Sequence, residues 1–462
     1  MKILTLKLGL IIFIISLISC NENKKNNYIY FSAQIENPNS DTLFISEFYG
    51  DTALVTFNLK ERKIIRDSMI LPMAFYRIGD GNETTICFLK PGFDLNFSLN
   101  TKEFDESVSY TGKGSAENNY LAEKYLLEEN FGELTYYGYY GKLSEDSFIN
   151  LTDSLYDLEL RLFNKEKNKF DKDFEFIEYK NIQTDYLLKF TDFEGIHRFV
   201  TGDKEFKVSD KFPNPYDSLN VNDDKLLILP NYINFINSYI QNLSIILLND
   251  NDTLDYHNIF INIVDTLIKN KNIRQEVAYH FGKYEFSKIK EPEYCYKKLK
   301  TIISKNEYLK PIEETYAKIN KIKKGEISPT FELYDLDSNL VKLQDFKGKV
   351  VYVDIWAIWC LPCRKEIPHL EKLESHYKDS NIVFISICKD DTRSRWKKTV
   401  RSNELSGVHL FAPENNIDFF KDYLVDGVPR YILIDKDGRI IDSDAIRPSD
   451  IKIEKTLNNL LN

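Results

Sequence analysis

Residues 349–356 read "KVVYVDIW", a near-continuous apolar run, and a helical pattern begins only a few residues later, at Cys360. A run without a polar face fits a strand buried on both sides. A strand that hands over directly to a helix belongs to an α/β layer, not to a sandwich or a bundle. The alternation continues downstream: "CRKEIPHLEKLESHYK" has helical spacing, "NIVFISIC" is a second buried strand, and helical stretches flank a short "VHLF". Upstream, "FELYDLDSNLVKL" is a hairpin candidate. Downstream, "RYILIDKDGRIID" turns on an Asp-Gly pair. The spacing therefore predicts an α/β domain over residues 326–462, ending in a hairpin and a helix.

The chain has 462 residues, too many for one ordinary core. Its character changes twice before residue 326. Residues 28–112 carry short β-branched and aromatic runs ("YIYFSAQI", "TLFISEF", "ALVTFNL", "FYRIG", "TICFL", "DLNFSL") broken by turn residues, which predicts a β-rich, sandwich-like antiparallel domain, with a barrel as the alternative. Residues 113–325 place apolar side chains at helical spacing, as in "SAENNYLAEKYLLEEN" and "YINFINSYIQNL", and predict a mostly helical connector. Its Tyr and Phe residues read as core. A formal charge of −10 argues against nucleic acid as a partner.

The N-terminus reads as a targeting segment. "MKILTLK" is a short basic region and "LGLIIFIISLIS" an apolar stretch too short to span a bilayer comfortably. It ends in Leu17-Ile18-Ser19-Cys20, which resembles the lipobox of bacterial lipoproteins. That resemblance implies a signal peptide over 1–19, a lipidated Cys20 and a polar tether over 20–27. It also implies a location in the cell envelope, on the periplasmic side, anchored to a membrane without crossing it. An ordinary secretory signal or an uncleaved anchor is the alternative, and either keeps the folded part outside the cytoplasm.

Apart from Cys20, the cysteines are Cys87, Cys295, Cys360, Cys363 and Cys388. An odd number, scattered except for one pair, is not a disulfide framework. The pair is the purposeful feature. Cys360 sits where a helix starts, so unpaired N–H groups and the helix dipole favour an anion there. A thiolate is that anion, with its pKa lowered. Cys363 lies one turn on, within reach of a short disulfide ring, and Pro362 between them forfeits no helical bond. This predicts thiol–disulfide exchange: Cys360 attacks and Cys363 resolves. A zinc site lacks a second pair of ligands, because His369 and His376 are spaced by seven and Cys388 is alone, so no metal is expected. A purely structural disulfide would close a loop too short to remove much chain entropy.

Two acids fit the exchange. Asp354 precedes Cys360 by six residues in the buried strand, where its pKa would rise and let it pass protons to a thiol. Glu366, one turn after Cys363, can do the same; the alternatives are a carboxyl pointing to water for Asp354 and a solvated helix residue for Glu366. Far along the chain, Pro429 opens a strand. A cis Val428-Pro429 bond would turn the Val428 backbone outward to pair with an extended substrate.

Together these residues resemble the thioredoxin fold, and more closely the TlpA/ResA-like thiol–disulfide oxidoreductases of the cell envelope. "WCLPCRKEIP" (359–368) matches the active-site run, Asp354 the buried acid, Glu366 the ResA-type glutamate, Pro368 the helix proline, and "GVPR" the cis-proline motif. "FLKPGFDLNFSLN" and "VSYTGKGSAENNYLAEK" are similar to the leader of lipoproteins of this family from Bacteroidetes-type bacteria. The resemblance implies a substrate surface formed by Trp359, Leu361, Pro362, Val428, Pro429 and Arg430, with no cofactor beyond the redox-active disulfide Cys360–Cys363. It also implies protein disulfides or dithiols as substrates and an integral membrane thiol carrier as electron donor. Apocytochrome c is one substrate it admits. Leu361 brings no charge to the thiolate. Arg430 stands where a small residue is common, and either favours acidic substrates or is solvated. Cys388 reads as an apolar filler, with a third redox thiol as the alternative.

The leading expectation is thus a membrane-anchored protein disulfide reductase. A client-binding envelope lipoprotein, with the C-terminal domain secondary, is the alternative. A peroxidase would want a Thr or Ser upstream of its cysteine, where Ile358 and Trp359 stand.

Overall fold

The structure is a computed structural model that describes residues 27–461 apart from 50–51, 61–63, 219, 250–254, 290, 390 and 413–416. The lipobox with Cys20, the signal segment and most of the tether lie outside the described residues. The chain is multidomain: sheet-rich at the start, helical in the middle and thioredoxin-like at the end. It divides into two compact units between Val277 and Ala278.

The first unit opens with eight strands: β1 (Ile29–Glu36), β2 (Thr42–Glu47), β3 (Ala53–Asn58), β4 (Ile64–Met69), β5 (Ala74–Gly79), β6 (Thr84–Leu89), β7 (Asp94–Asn100) and β8 (Ser109–Lys113). They form two four-stranded sheets, ordered β4-β1-β7-β8 and β3-β2-β5-β6. In β1 the alternate residues Ile29, Phe31, Ala33 and Ile35 are buried, as period-two patterning requires. Phe31 meets Phe57 of the other sheet at 5.7 Å between ring centres, so the apolar faces are packed as a sandwich. One pair departs from the antiparallel expectation. β1 and β7 run parallel, because the chain crosses into the other sheet for β5 and β6 before it returns.

Gly114 adopts a φ of +99° and turns β8 into the helix Ser115–Glu129; a Cβ there would fall 2.3 Å from the Phe93 ring. Asn118 of that helix fastens it to β6, accepting from the Phe88 N–H at 2.8 Å and donating to its carbonyl at 2.9 Å. The long helices Glu145–Glu166 and Lys172–Thr201 follow, then Tyr232–Asn249 and Tyr256–Leu267. Tyr120, Phe170 and Phe174 pack with Phe88 of β6 as a continuous aromatic core, while Tyr136, Tyr137, Tyr139 and Phe199 of the helical region are exposed.

In the second unit the helices Glu293–Ile302 and Asn306–Lys321 precede a seven-stranded sheet. Its strands are β9 (Glu332–Tyr334), β10 (Leu340–Lys342), β11 (Val350–Trp356), β12 (Ile382–Cys388), β13 (Val408–Phe411), β14 (Arg430–Ile434) and β15 (Ile440–Asp442), ordered β10-β9-β13-β12-β11-β14-β15. The pairs β11–β12 and β12–β13 are parallel, and the others are antiparallel. β11 is central and all seven of its residues are buried. Val351, Val353 and Ile355 pack on one face with Phe419 and Tyr423. Val350 and Tyr352 pack on the other, beneath Leu370 and Leu373 of the helix Leu361–His376 and Leu457 of the helix Ile453–Leu461. The β14–β15 turn places Gly438 at φ +81°.

Candidate active site

β11 ends at Trp356, and Cys360 is the N-cap of the helix Leu361–His376. Pro362 falls in the first turn, where a missing N–H costs no helical bond. Cys360 and Cys363 are joined by a disulfide, with their Cα atoms 5.3 Å apart. The Cys363 N–H donates to the Cys360 sulfur at 3.1 Å, and the Arg364 N–H donates to the Cys360 carbonyl at 3.2 Å. The helix start thus directs an amide at the first sulfur.

Both cysteines are buried, whereas Trp359 is 60% and Leu361 55% exposed and Pro362 is exposed as well. The sulfurs sit in one apolar cluster with Trp356, Cys388, Trp396 and Phe411, and Val428 packs against it. The fold therefore brings residue 428 to the dithiol across a long stretch of chain. The Val428–Pro429 peptide bond is cis. Cys388, at the end of β12, is fully buried in the same cluster.

Arg430 is neither solvated nor free to receive an acidic substrate. Its side chain is 15% exposed, Nε donates to the Ser443 carbonyl at 3.1 Å, and the Asp444 carboxylate lies 3.5 Å away. The segment following β15 already meets its charge.

Asp354 points to the face of β11 that carries the helix, not to water. Oδ2 accepts from the Ser386 hydroxyl at 3.3 Å and Oδ1 has no hydrogen-bond partner among the described residues. Burial pushes this carboxyl up to about 7; the Ser386 hydrogen bond opposes the shift, and the charges of Glu374 and Glu366 add to it. Its ionisation is thereby set near neutrality, where a proton acceptor works best. Glu366 is buried too, and both of its oxygens are engaged: Oε2 accepts from the Ser449 N–H at 3.0 Å and Oε1 from its hydroxyl at 2.9 Å. Glu366 thus ties the helix to the segment before the C-terminal helix.

Sequence reasoning missed both serines. Ser386 left a signal, a lone polar residue inside "NIVFISIC", but the register opposite Asp354 is set only by the β11–β12 pairing. Ser449 left none.

The Redoxin family model matches residues 323–461. The thiol-disulfide oxidoreductase ResA of Bacillus cereus is 33% identical over 145 residues, which span 31% of this chain and 79% of that protein. The chain belongs to the ResA-type thiol-disulfide oxidoreductases. A second relative of this ResA-type chain, the thioredoxin-like protein YneN of Bacillus subtilis, is 30% identical over 131 residues, 28% of this chain and 76% of the other. Among solved structures, the thioredoxin domain of a thiol-disulfide oxidoreductase from Bacteroides vulgatus is 30% identical and covers 30% of this chain and 98% of its own, with a TM-score of 0.28. The Redoxin match falls in the last third of the chain, where the cysteine pair lies.

Proposed function

We propose that this oxidoreductase is an extracytoplasmic protein disulfide reductase, held at a membrane by a lipidated Cys20, that works through Cys360 and Cys363. The observation that carries the reading is the Cys360–Cys363 disulfide at the first turn of a helix, with an amide aimed at the first sulfur and an exposed Trp359-Leu361-Pro362 rim around it.

The chemistry runs from the reduced pair. The Cys360 thiolate attacks one sulfur of a substrate disulfide, forming a mixed disulfide and releasing one substrate thiolate, which takes up a proton. Asp354 accepts the Cys363 proton, directly or through water. The Cys363 sulfur then attacks Cys360, releases the second substrate thiol and forms the intramolecular disulfide. The substrate gains two electrons from the Cys360–Cys363 pair and two protons, one from Cys363 by way of Asp354 and one from the solvent that took the Cys360 proton. Restoring the dithiol takes a second thiol–disulfide exchange, with an integral membrane thiol carrier as donor. Leu361, Pro362 and the Val428–Pro429 segment supply apolar and backbone contacts for an extended substrate chain.

A turnover assay with insulin as the disulfide substrate tests the reading. The wild-type protein should reduce insulin in the presence of a dithiol donor and Cys360→Ser should not; activity that survived the substitution would reject the mechanism. Cys363→Ser should accumulate mixed disulfides, and mass spectrometry of the trapped species would name the substrates.

A further inference from the structure

Strand pairing lines up three polar side chains on the face of the sheet that carries the helix Leu361–His376. Asp354 of β11 is the register partner of Ser386 in β12, and Ser386 is the register partner of His409 in β13. Residues in register on parallel strands project to the same face, with Cα atoms roughly 4.8 Å apart. All three side chains are buried. Nε2 of His409 lies 2.7 Å from the Ser406 carbonyl, which can only accept, so Nε2 carries the hydrogen. Burial lowers the pKa of this imidazole, opposed by the carbonyls of Ser406 and Leu405. At neutral pH the ring is therefore uncharged and Nδ1 is a bare acceptor. Among the described residues no group donates to Nδ1, and Oδ1 of Asp354 is likewise without a partner. Buried acceptors are rarely left so. These two flank one hydroxyl: Ser386 has a single hydrogen, which it gives to Oδ2 of Asp354 at 3.3 Å.

We propose that the Ser386 hydroxyl is a switch shared by Asp354 and His409: it donates to Asp354 while that carboxyl is ionised, and to Nδ1 of His409 once Asp354 carries a proton. In the second state the protonated carboxyl donates to the Ser386 oxygen, so acid, hydroxyl and imidazole each have a partner. His409 thereby favours the protonated form of Asp354 and is a positioning residue for the proton acceptor of the dithiol. Other groups act on Asp354 from the elements packed against it. The charges of Glu366 and Glu374 reach it from the helix. Tyr352 of β11 and Tyr431 of β14 are coupled to it, with Arg447 acting on Tyr431. Glu374 also borders the His409 end, since its carboxylate accepts from the hydroxyl of Ser406, the residue whose carbonyl faces Nε2. Ser386 alone stands in register between the acid and the imidazole. The inference rests on Asp354 as the proton acceptor, and its test reads the carboxyl itself as well as turnover.

Nuclear magnetic resonance titration of the full-length protein, labelled at the aspartate carboxyl carbons and the histidine nitrogens, tests it; Asp354→Asn and His409→Asn assign the two signals. The Nδ1 signal of His409 should move as Asp354 titrates, and Ser386→Ala should abolish that movement. His409→Leu should lower the Asp354 midpoint by about 0.7 pH unit, as loss of one neutral hydrogen bond in the protonated state does. His409→Asn, which keeps an acceptor near the place of Nδ1, should leave the midpoint near the wild-type value. In the Ser386→Ala background His409→Leu should change nothing, because the hydroxyl through which it acts is gone. The pH profile of insulin reduction should follow the midpoint. A profile that stayed in place while the carboxyl shifted would reject Asp354 as the acceptor and leave the switch standing. Should thermal unfolding show that His409→Leu folds poorly, the Nδ1 signal in wild type and Ser386→Ala decides alone. An Nδ1 signal indifferent to Asp354, one that still follows it without the Ser386 hydroxyl, or a midpoint unmoved in folded His409→Leu would overturn the proposal.

Discussion

The backbone N–H of Cys363 donates to the sulfur of Cys360 across 3.1 Å. A first-turn amide has no helical acceptor, so in the reduced protein the same group faces a sulfur that gains by being ionised. The geometry that closes the disulfide is therefore also the geometry that favours the attacking thiolate.

Asp354 should make stability depend on pH. Its folded-state pKa of about 7 lies above the ordinary carboxylate value, so the folded state holds a proton that the unfolded chain has released. Stability contributed by that proton is present below the ordinary value and is lost as pH rises from about 4 to about 7, by up to about 4 kcal/mol. Asp354→Asn removes the titration. Thermal unfolding should show the variant more stable than wild type at pH 8 and nearly equal at pH 4. Its insulin turnover should fall by about 10²-fold and lose the inflection near neutrality.

Glu366 accepts two hydrogen bonds from Ser449 in a buried setting. Glu366→Ala leaves that N–H and hydroxyl unpaired and should cost about 2–3 kcal/mol in denaturant unfolding, while Ser449→Ala should cost about 1 kcal/mol. If Glu366 also moves protons, Glu366→Gln should slow insulin reduction more than Ser449→Ala does.

Lys124 anchors the helical part of the first unit. Burial alone would lower its pKa, but Glu178 and Glu159 outweigh that and hold the ammonium protonated. Lys124→Met strands Glu178, which is fully buried, with Tyr120 at 3.1 Å as its nearest donor. The loss should be about 3–5 kcal/mol in denaturant unfolding. Adding Glu178→Gln should restore part of it, because the uncompensated charge is then gone.

The α/β part of the fold was legible because burial writes itself into β11 and β12 as unbroken apolar runs, and because the cysteine pair marks where a helix begins. The edges of the first unit were not. β4 buries little beyond Ile65 and Met69, and β8 only Tyr110, so neither carries enough apolar alternation to announce a strand. The parallel pairing of β1 with β7 depends on a crossover between sheets, which no local pattern encodes. In the site, Cys360, Cys363, Asp354 and Pro429 could be read from spacing and resemblance. The fixing of Glu366 by Ser449 and of Arg430 by Ser443 and Asp444 joins residues with no periodic relation.

The central claim concerns one sulfur. The thiol of Cys360 in the reduced Cys363→Ser protein, titrated by its ultraviolet thiolate absorbance and by its rate of alkylation, tests it most directly. A midpoint clearly below the value of about 8.5 for a free cysteine, in a protein that still forms mixed disulfides, is the predicted result. A midpoint at or above that value would contradict the account.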